Sequence, residues 1–195
     1  MRAPNPREAF GQQEEDSLIE CINYYRSKKQ DPPYDGKYQK LYENKFITKM
    51  NQDGNACAVA TGSIACYLAI KSLELPPRST VLVSPVSDSS SLINILIAGL
   101  FPVIMDTEKD SYNIGLEQVI QAYSSDVKAI YVVHTYGNPV EIEDIANFCK
   151  SKGIKLIEDC SQAPFAEVKT KQGMKYVGSF GDIAAFSTMY RKTLQ

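Results

Sequence analysis

Apolar side chains in the first fifty residues recur at helical spacing. Between Leu18 and Tyr25 they return every three or four positions, which predicts a helix. Asp16 or Ser17 is the predicted N-cap of this helix. A stretch with two prolines and a glycine follows and interrupts the pattern. A second helix is predicted over residues 37–50.

From residue 56 onward, short apolar runs typical of β-strands alternate with helical patterns. This alternation predicts an α/β fold, a three-layer α/β/α sandwich in which helices cover both faces of a mostly parallel sheet. The predicted strands are residues 56–60, 80–84, 102–106, 128–134, 154–159 and 183–187. The predicted helices between them are residues 63–73, 89–98, 116–123 and 142–152.

Length and composition limit the classes of protein to consider. A chain of 195 residues can bury one sizeable core, and we divide it into residues 1–35, an N-terminal helix and loop, and residues 36–195, one large domain. A net charge of −2 gives no field that would attract nucleic acid or an anionic membrane. The longest apolar stretch, residues 92–105, is shorter than the roughly 20 residues that a membrane-spanning helix needs.

The cysteine and histidine content predicts neither a metal site nor disulfides. The five cysteines form no Cys-x-x-Cys pair, and His134 is the single histidine. Reduced thiols, together with the lack of a signal-peptide pattern near the N-terminus, predict a cytoplasmic protein.

In an open parallel sheet, ligands bind beyond the carboxyl ends of the strands and at neighbouring helix N-termini. Thr61-Gly62-Ser63 opens a predicted helix, where backbone N–H groups and a hydroxyl suit a phosphate. The alternative is a plain helix cap in which Ser63 is the capping residue and Gly62 relieves the turn.

Asp159 ends the apolar run of a predicted buried strand. A carboxylate at that position needs a cationic partner, and the protonated ring nitrogen of a pyridine cofactor would serve. The alternative is an N-cap aspartate in an Asp-x-x-Gln box, because Gln162 lies three residues further on.

Other polar residues at strand ends have both a chemical and a structural interpretation. Lys192 could form a Schiff base if it is desolvated, or it could be a solvated charge near the C-terminus. His134 is interpreted as a supporting residue, and the Ser87–Ser91 segment as a pocket lip or a helix cap. The motifs of dinucleotide-binding proteins, P-loop NTPases and α/β-hydrolases are missing from the sequence.

The order of several motifs resembles the DegT-type, StrS-like sugar aminotransferases, a branch of the fold-type I enzymes that use pyridoxal 5′-phosphate (PLP). The resemblance runs from about Gly36 to the C-terminus. The motifs that carry it are Gly36 to Phe46, Ala60-Thr-Gly-Ser-Ile-Ala65, Ala98 to Asp106, Ser111-Tyr-Asn-Ile114, His134-Thr-Tyr-Gly137, Glu158-Asp-Cys-Ser-Gln-Ala163 and Gly178-Ser-Phe-Gly-Asp-Ile-Ala-Ala-Phe-Ser187.

The resemblance implies a PLP-binding large domain and a role for each matching position. It assigns Asp159 to the pyridine nitrogen, Gln162 to the ring or its phenolic oxygen, and Lys192 to the covalent link with PLP and to proton transfer during the reaction. The phosphate would bind at Gly62, Ser63 and Ser187, and Ile64 would be a further cofactor-binding residue. The implied reaction moves an amino group from an amino acid, usually glutamate, to a keto sugar linked to a nucleotide, in polysaccharide or deoxysugar biosynthesis.

Two departures from the family pattern accompany the resemblance. Ser89 stands where the family usually places an aromatic residue that stacks on the cofactor ring. The family also continues past the lysine into a small C-terminal domain and a homodimer, so we expect this chain to be the N-terminal part of a longer enzyme. Two alternatives stay open: a PLP-dependent sugar dehydratase, a branch expected to carry histidine in place of the lysine, and a noncatalytic interaction module.

Overall fold

A computed structural model describes residues 11–189 of the chain. The chain divides between Ala58 and Val59 into two compact units. We describe each unit by itself, and the candidate site residues that the structure describes all belong to the second unit.

The first unit contains two helices, α1 (Gln12–Lys28) and α2 (Lys37–Met50). Helix α1 begins earlier than predicted, because the Gly11 N–H is satisfied by the Glu14 carboxylate at 2.9 Å and two acidic residues in the first turn favour the positive helix end. Asp16 therefore does not cap the helix and instead accepts a hydrogen bond from Gln12. Helix α2 has the predicted bounds.

The second unit contains a parallel sheet with helices on its faces, and a separate hairpin. Its helices are α3 (Gly62–Ser72), α4 (Ser89–Ile97), α5 (Leu116–Ala122) and α6 (Ile142–Lys152). Its strands are β1 (Thr80–Val83), β2 (Phe101–Ile104), β3 (Val127–Val133), β4 (Lys155–Asp159), β5 (Glu167–Thr170), β6 (Gly173–Tyr176) and β7 (Ile183–Ala185), with a 3-10 turn at Thr135–Gly137.

The main sheet has the strand order β2-β1-β3-β4-β7, and each neighbouring pair is parallel. Strand β2 lies on one side of β1, and the later strands β3, β4 and β7 lie on the other side. The order in which strands are added to the sheet therefore reverses at β1. In sheets of this type the crevice at such a switch point is where ligands bind.

Alternate residues of the strands pack against opposite helix layers. On one face Leu82, Ile130 and Leu156 join a core with residues of α5 and α6. On the other face Tyr131 and Ile157 join a core with residues of α3 and α4. The predicted three-layer α/β/α sandwich is confirmed.

The strand prediction includes one strand that does not form and omits one hairpin that does. Residues 56–60 form no strand: the run is rich in alanine, which has a low β propensity, and the Ala58 N–H donates to the Glu43 carboxylate at 2.7 Å. The antiparallel hairpin of β5 and β6 was not predicted, because lysines interrupt its apolar alternation. Within residues 11–189, no helix has both the length and the apolar character needed to span a bilayer.

Candidate cofactor site

The N-terminus of α3 carries the predicted phosphate turn. Thr61 is in an extended conformation and caps the helix, since its Oγ1 accepts a hydrogen bond from the Ile64 N–H at 3.1 Å. The capping residue is therefore Thr61 and not Ser63. Among the described residues, the N–H groups of Gly62 and Ser63 have no acceptor, so the positive end of the helix presents two unused donors.

Gly62 lies directly against Ser187, which follows β7. A Cβ atom at Gly62 would lie 3.0 Å from the Ser187 Cβ and 3.1 Å from its Oγ, so a side chain at this position would force the serine to move. Ser187 is 9% exposed. The fold thus brings two predicted phosphate ligands from distant parts of the sequence to one point.

Asp159 ends β4 and is 5% exposed. Its Oδ2 accepts hydrogen bonds from the Tyr131 hydroxyl at 2.7 Å and from the Cys66 thiol at 3.6 Å, and its Oδ1 accepts the Ser161 N–H at 3.0 Å. The residues after Asp159 form turns and not a helix, so the helix-cap interpretation of Asp159 is wrong.

Helix α3 carries the phosphate turn and also contacts the Asp159 carboxylate. Cys66, which contacts Asp159, follows Gly62 by four residues in α3. Four residues correspond to a rise of about 6 Å along a helix axis. One helix therefore contacts Ser187 through Gly62 in its first turn and Asp159 through Cys66 about one turn later.

Gln162 lies in the turn that follows Asp159. Its Oε1 accepts the N–H of Tyr136 at 2.8 Å, which ties this turn to the loop after β3. Tyr136 has a left-handed backbone conformation with φ of 54° and a side chain that is 70% exposed. This hydrogen bond fixes the orientation of the Gln162 amide.

Glu158, the neighbour of Asp159, points to the other face and organises the Gly178–Gly181 turn. Its fully buried carboxylate accepts N–H groups from Gly178 at 2.7 Å, Phe180 at 2.8 Å and Gly181 at 2.7 Å. Gly178 must be glycine, because its φ is +88° and a Cβ would lie 2.4 Å from the Phe186 ring. The first residues of the motif 178–187 thus donate their backbone N–H groups to the buried Glu158 carboxylate.

His134 completes the surroundings of Glu158. Its Nδ1 accepts the Val140 N–H at 3.0 Å, which puts the ring proton on Nε2, the atom 3.2 Å from a Glu158 oxygen. The interpretation of His134 as a supporting residue agrees with these contacts.

His134, Glu158 and Cys160 bring three metal-ligand atoms within 4.8 Å of one another. The Glu158 oxygens already accept four hydrogen bonds, so an ion would have to displace them. Burial raises the pKa of the Cys160 thiol well above its ordinary value, which disfavours the thiolate that binds metals. The cluster is structural.

Ser89 is the first residue of α4 and is exposed. Asp88 caps this helix by accepting the Ser90 N–H at 2.9 Å, so the cap interpretation of the Ser87–Ser91 segment agrees with the structure. The Asn94 side chain donates to the Ser63 carbonyl at 3.0 Å and connects α4 to the first turn of α3. Helix α4, whose first residue is Ser89, therefore contacts the first turn of α3 through Asn94.

Lys192 lies outside the described residues. Of the other candidates, Ser63 and Ile64 share the first turn of α3 with Gly62, and Gln162 shares a turn with Asp159. Sequence reasoning missed Tyr131 and Cys66. A signal existed for Tyr131, which is the one hydroxyl-bearing residue inside the apolar run 129–133. Burial, and then the negative charge of Asp159, raise the pKa of Tyr131 well above its ordinary value.

Comparison with solved structures identifies proteins that share this fold. A GDP-4-keto-6-deoxymannose-3-dehydratase, crystallised with a trapped PLP-glutamate geminal diamine, superposes with a TM-score of 0.83 at 24% identity, over 98% of this chain and 48% of that one. An aminotransferase from Psychrobacter cryohalolentis superposes with a TM-score of 0.82 at 24% identity, over 96% of this chain and 45% of that one.

Sequence comparison gives the family. The chain is 33% identical over 159 residues to the GDP-perosamine synthase of Escherichia coli O157:H7, which covers 82% of this chain and 42% of the relative. The family profile matches residues 15–195, and the chain belongs to the DegT/DnrJ/EryC1/StrS aminotransferase family. It spans less than half the length of this relative and of the Vibrio cholerae enzyme of the same name, of which it also covers 42%.

Proposed function

We propose that this chain is the cofactor-binding part of a PLP-dependent aminotransferase. The enzyme would transfer an amino group from an amino acid, in the first instance glutamate, to a keto sugar linked to a nucleotide, for polysaccharide or deoxysugar biosynthesis. The observation that carries this proposal is the arrangement at α3: two N–H donors beside Ser187 that have no acceptor among the described residues, and the buried Asp159 carboxylate, which contacts Cys66 one turn further along the helix.

The described residues fit the phosphate of PLP. Gly62 and Ser63 offer backbone donors at a positive helix end, and Ile64 follows them in the same turn. Ser187 adds a hydroxyl on the side where Gly62 leaves room. In our proposal these residues bind the phosphate and hold it in place throughout the reaction.

The carboxylate of Asp159 fits the ring nitrogen of PLP. It lies at the end of a buried strand, where a pyridinium N–H would be a charge-assisted donor to it. When PLP is bound, its protonated ring acts as an electron sink for a carbanion at the substrate carbon. Gln162 would orient the ring from the neighbouring turn, and Lys192 would hold PLP covalently and move the proton between substrate and cofactor carbons.

The wider assignments rest on the relatives. One of them is a dTDP-3-amino-3,6-dideoxy-alpha-D-galactopyranose transaminase, 35% identical to this chain over 129 residues, and this supports a nucleotide-linked keto sugar as the acceptor. We propose a homodimer for the complete protein and the cytoplasm as its compartment. The compact unit that carries the site begins at Val59, and the boundary of the cofactor-binding domain at residue 36 stays a prediction.

A sugar dehydratase is the second candidate, because solved GDP-4-keto-6-deoxymannose-3-dehydratases share the fold. The dehydratase branch is expected to have histidine at the position of Lys192, so the lysine favours transamination. A noncatalytic interaction module would bind no PLP.

The experiment uses the full-length protein with PLP, glutamate and nucleotide-linked keto sugars. We expect an absorbance band at roughly 400–430 nm and formation of the amino sugar. Lys192→Ala should abolish both while leaving the melting temperature of the protein without PLP unchanged, whereas the matched control Lys175→Ala should retain both. Absence of the band in the wild type would favour the noncatalytic module, and loss of water from the sugar without transfer of nitrogen would favour the dehydratase.

A further inference from the structure

We infer that Tyr131 and Cys66 are positioning residues that fix the Asp159 carboxylate for the cofactor ring. This inference rests on the proposed function. No pattern in the sequence brings these two residues together with Asp159. The contacts arise because strand β3 and helix α3 both pack against the end of β4.

The sheet register accounts for the contact of Tyr131. Asp159 pairs with Val133, and Tyr131 lies two residues earlier on the same face of β3, which makes it a diagonal neighbour of Asp159. Tyr131 is fully buried, so its hydroxyl has no water to bind and donates to Oδ2 at 2.7 Å. Helix α3 covers the same face and brings the Cys66 thiol to the same oxygen.

The hydrogen bonds to Asp159 occupy some of the acceptor positions of its carboxylate and leave another for a ligand. A carboxylate offers about four lone-pair positions, two on each oxygen. Tyr131 and Cys66 use both positions of Oδ2, and the Ser161 N–H uses one of Oδ1. After these contacts of the described residues, one acceptor position remains on Oδ1, and it could accept a pyridinium N–H.

The test measures the ring nitrogen directly in the full-length protein loaded with PLP that carries nitrogen-15 at the ring position. Tyr131→Phe removes only the hydroxyl. We expect it to raise the dissociation constant of PLP by about tenfold, the effect of one charge-assisted hydrogen bond, and to move the nitrogen-15 shift towards the unprotonated value. Cys66→Ala should shift the nitrogen signal in the same direction by less, and Cys66→Ser, which restores a donor, should return it to the wild-type position.

The matched control is Tyr123→Phe, since Tyr123 packs against Phe148 on the opposite face of the sheet. It should leave both readouts unchanged. In a protein that already carries Asp159→Asn, the Tyr131→Phe change should have no further effect on PLP affinity, because the two residues act through one contact.

The outcomes separate this inference from the proposed function. If Asp159→Asn weakens PLP binding but Tyr131→Phe and Cys66→Ala both behave like Tyr123→Phe, the inference is overturned and the proposed function stands. If Asp159→Asn binds PLP as tightly as the wild type, the proposed function fails and the inference fails with it. Should Tyr131→Phe not fold, as judged by the melting curve of the protein without PLP, the Cys66→Ala and Cys66→Ser pair decides.

Discussion

Replacing Glu158 with glutamine tests whether the Gly178–Gly181 turn depends on hydrogen bonds to this carboxylate. The Glu158 carboxylate is 0% exposed and accepts four hydrogen bonds, two on each oxygen. In Glu158→Gln one oxygen becomes an amide nitrogen, so two buried donors face another donor whichever way the amide turns. His134 cannot adapt by moving its proton, since its Nδ1 is the acceptor for the Val140 N–H.

The expected loss follows from the two donors that lose their acceptor. Each buried donor without a partner costs about 1–3 kcal/mol, so Glu158→Gln should lower the free energy of unfolding by about 2–6 kcal/mol. This is a large part of the roughly 5–15 kcal/mol typical of a domain. Urea unfolding of the full-length protein, followed by far-ultraviolet circular dichroism, measures the loss.

The control for this prediction is Glu167→Gln on β5, where the glutamate is exposed. A surface change of this kind should stay within about 0.5 kcal/mol of the wild type. A loss below about 1 kcal/mol for Glu158→Gln would refute the argument, because it would mean that the N–H groups of the turn do not depend on this acid.

Two further predictions concern the cofactor site. Burial raises the pKa of Tyr131 well above its ordinary 10.0, so the folded protein holds the phenol proton more tightly than the unfolded chain does. The resulting contribution to the free energy of unfolding is complete below pH 10.0 and is lost as the pH rises towards the pKa of the folded state. Tyr131→Phe should therefore reduce the alkaline loss of stability in urea midpoints measured above that pH, and an unchanged slope would contradict this. Ser89→Phe places an aromatic ring at the first residue of α4, where the family pattern has one, and should tighten PLP binding by about 2- to 12-fold, the effect of one aromatic stacking contact. An unchanged dissociation constant would show that position 89 does not reach the cofactor ring.

The sequence was sufficient for most of the sheet because its central strands are buried on both faces and appear as continuous apolar runs. Helix α6 was predicted with its observed bounds, since Gly153 takes the left-handed conformation that ends it, with φ of 64°. The strand at residues 56–60 was predicted from apolar character alone, and alanine is too small to favour pairing there.

The candidate site was predictable only in part. Residues at strand ends, such as Asp159 and Ser187, follow from topology, because the carboxyl ends of parallel strands lie at one edge. The contacts of Tyr131 and Cys66 with Asp159 depend on strand register and on which helix covers which face, and neither can be read from local patterns. The enclosure of Glu158 by the Gly178–Gly181 turn was also missed, since its donors become neighbours only in the folded chain.

The most direct test of the central claim is covalent labelling of the cofactor lysine. The full-length protein is incubated with PLP, reduced with borohydride and digested, and the modified peptide is identified by mass spectrometry. We expect the label to lie on Lys192 and to be absent from the Lys192→Ala variant. Label confined to other lysines, such as Lys169 or Lys175, would contradict the assignment of this site.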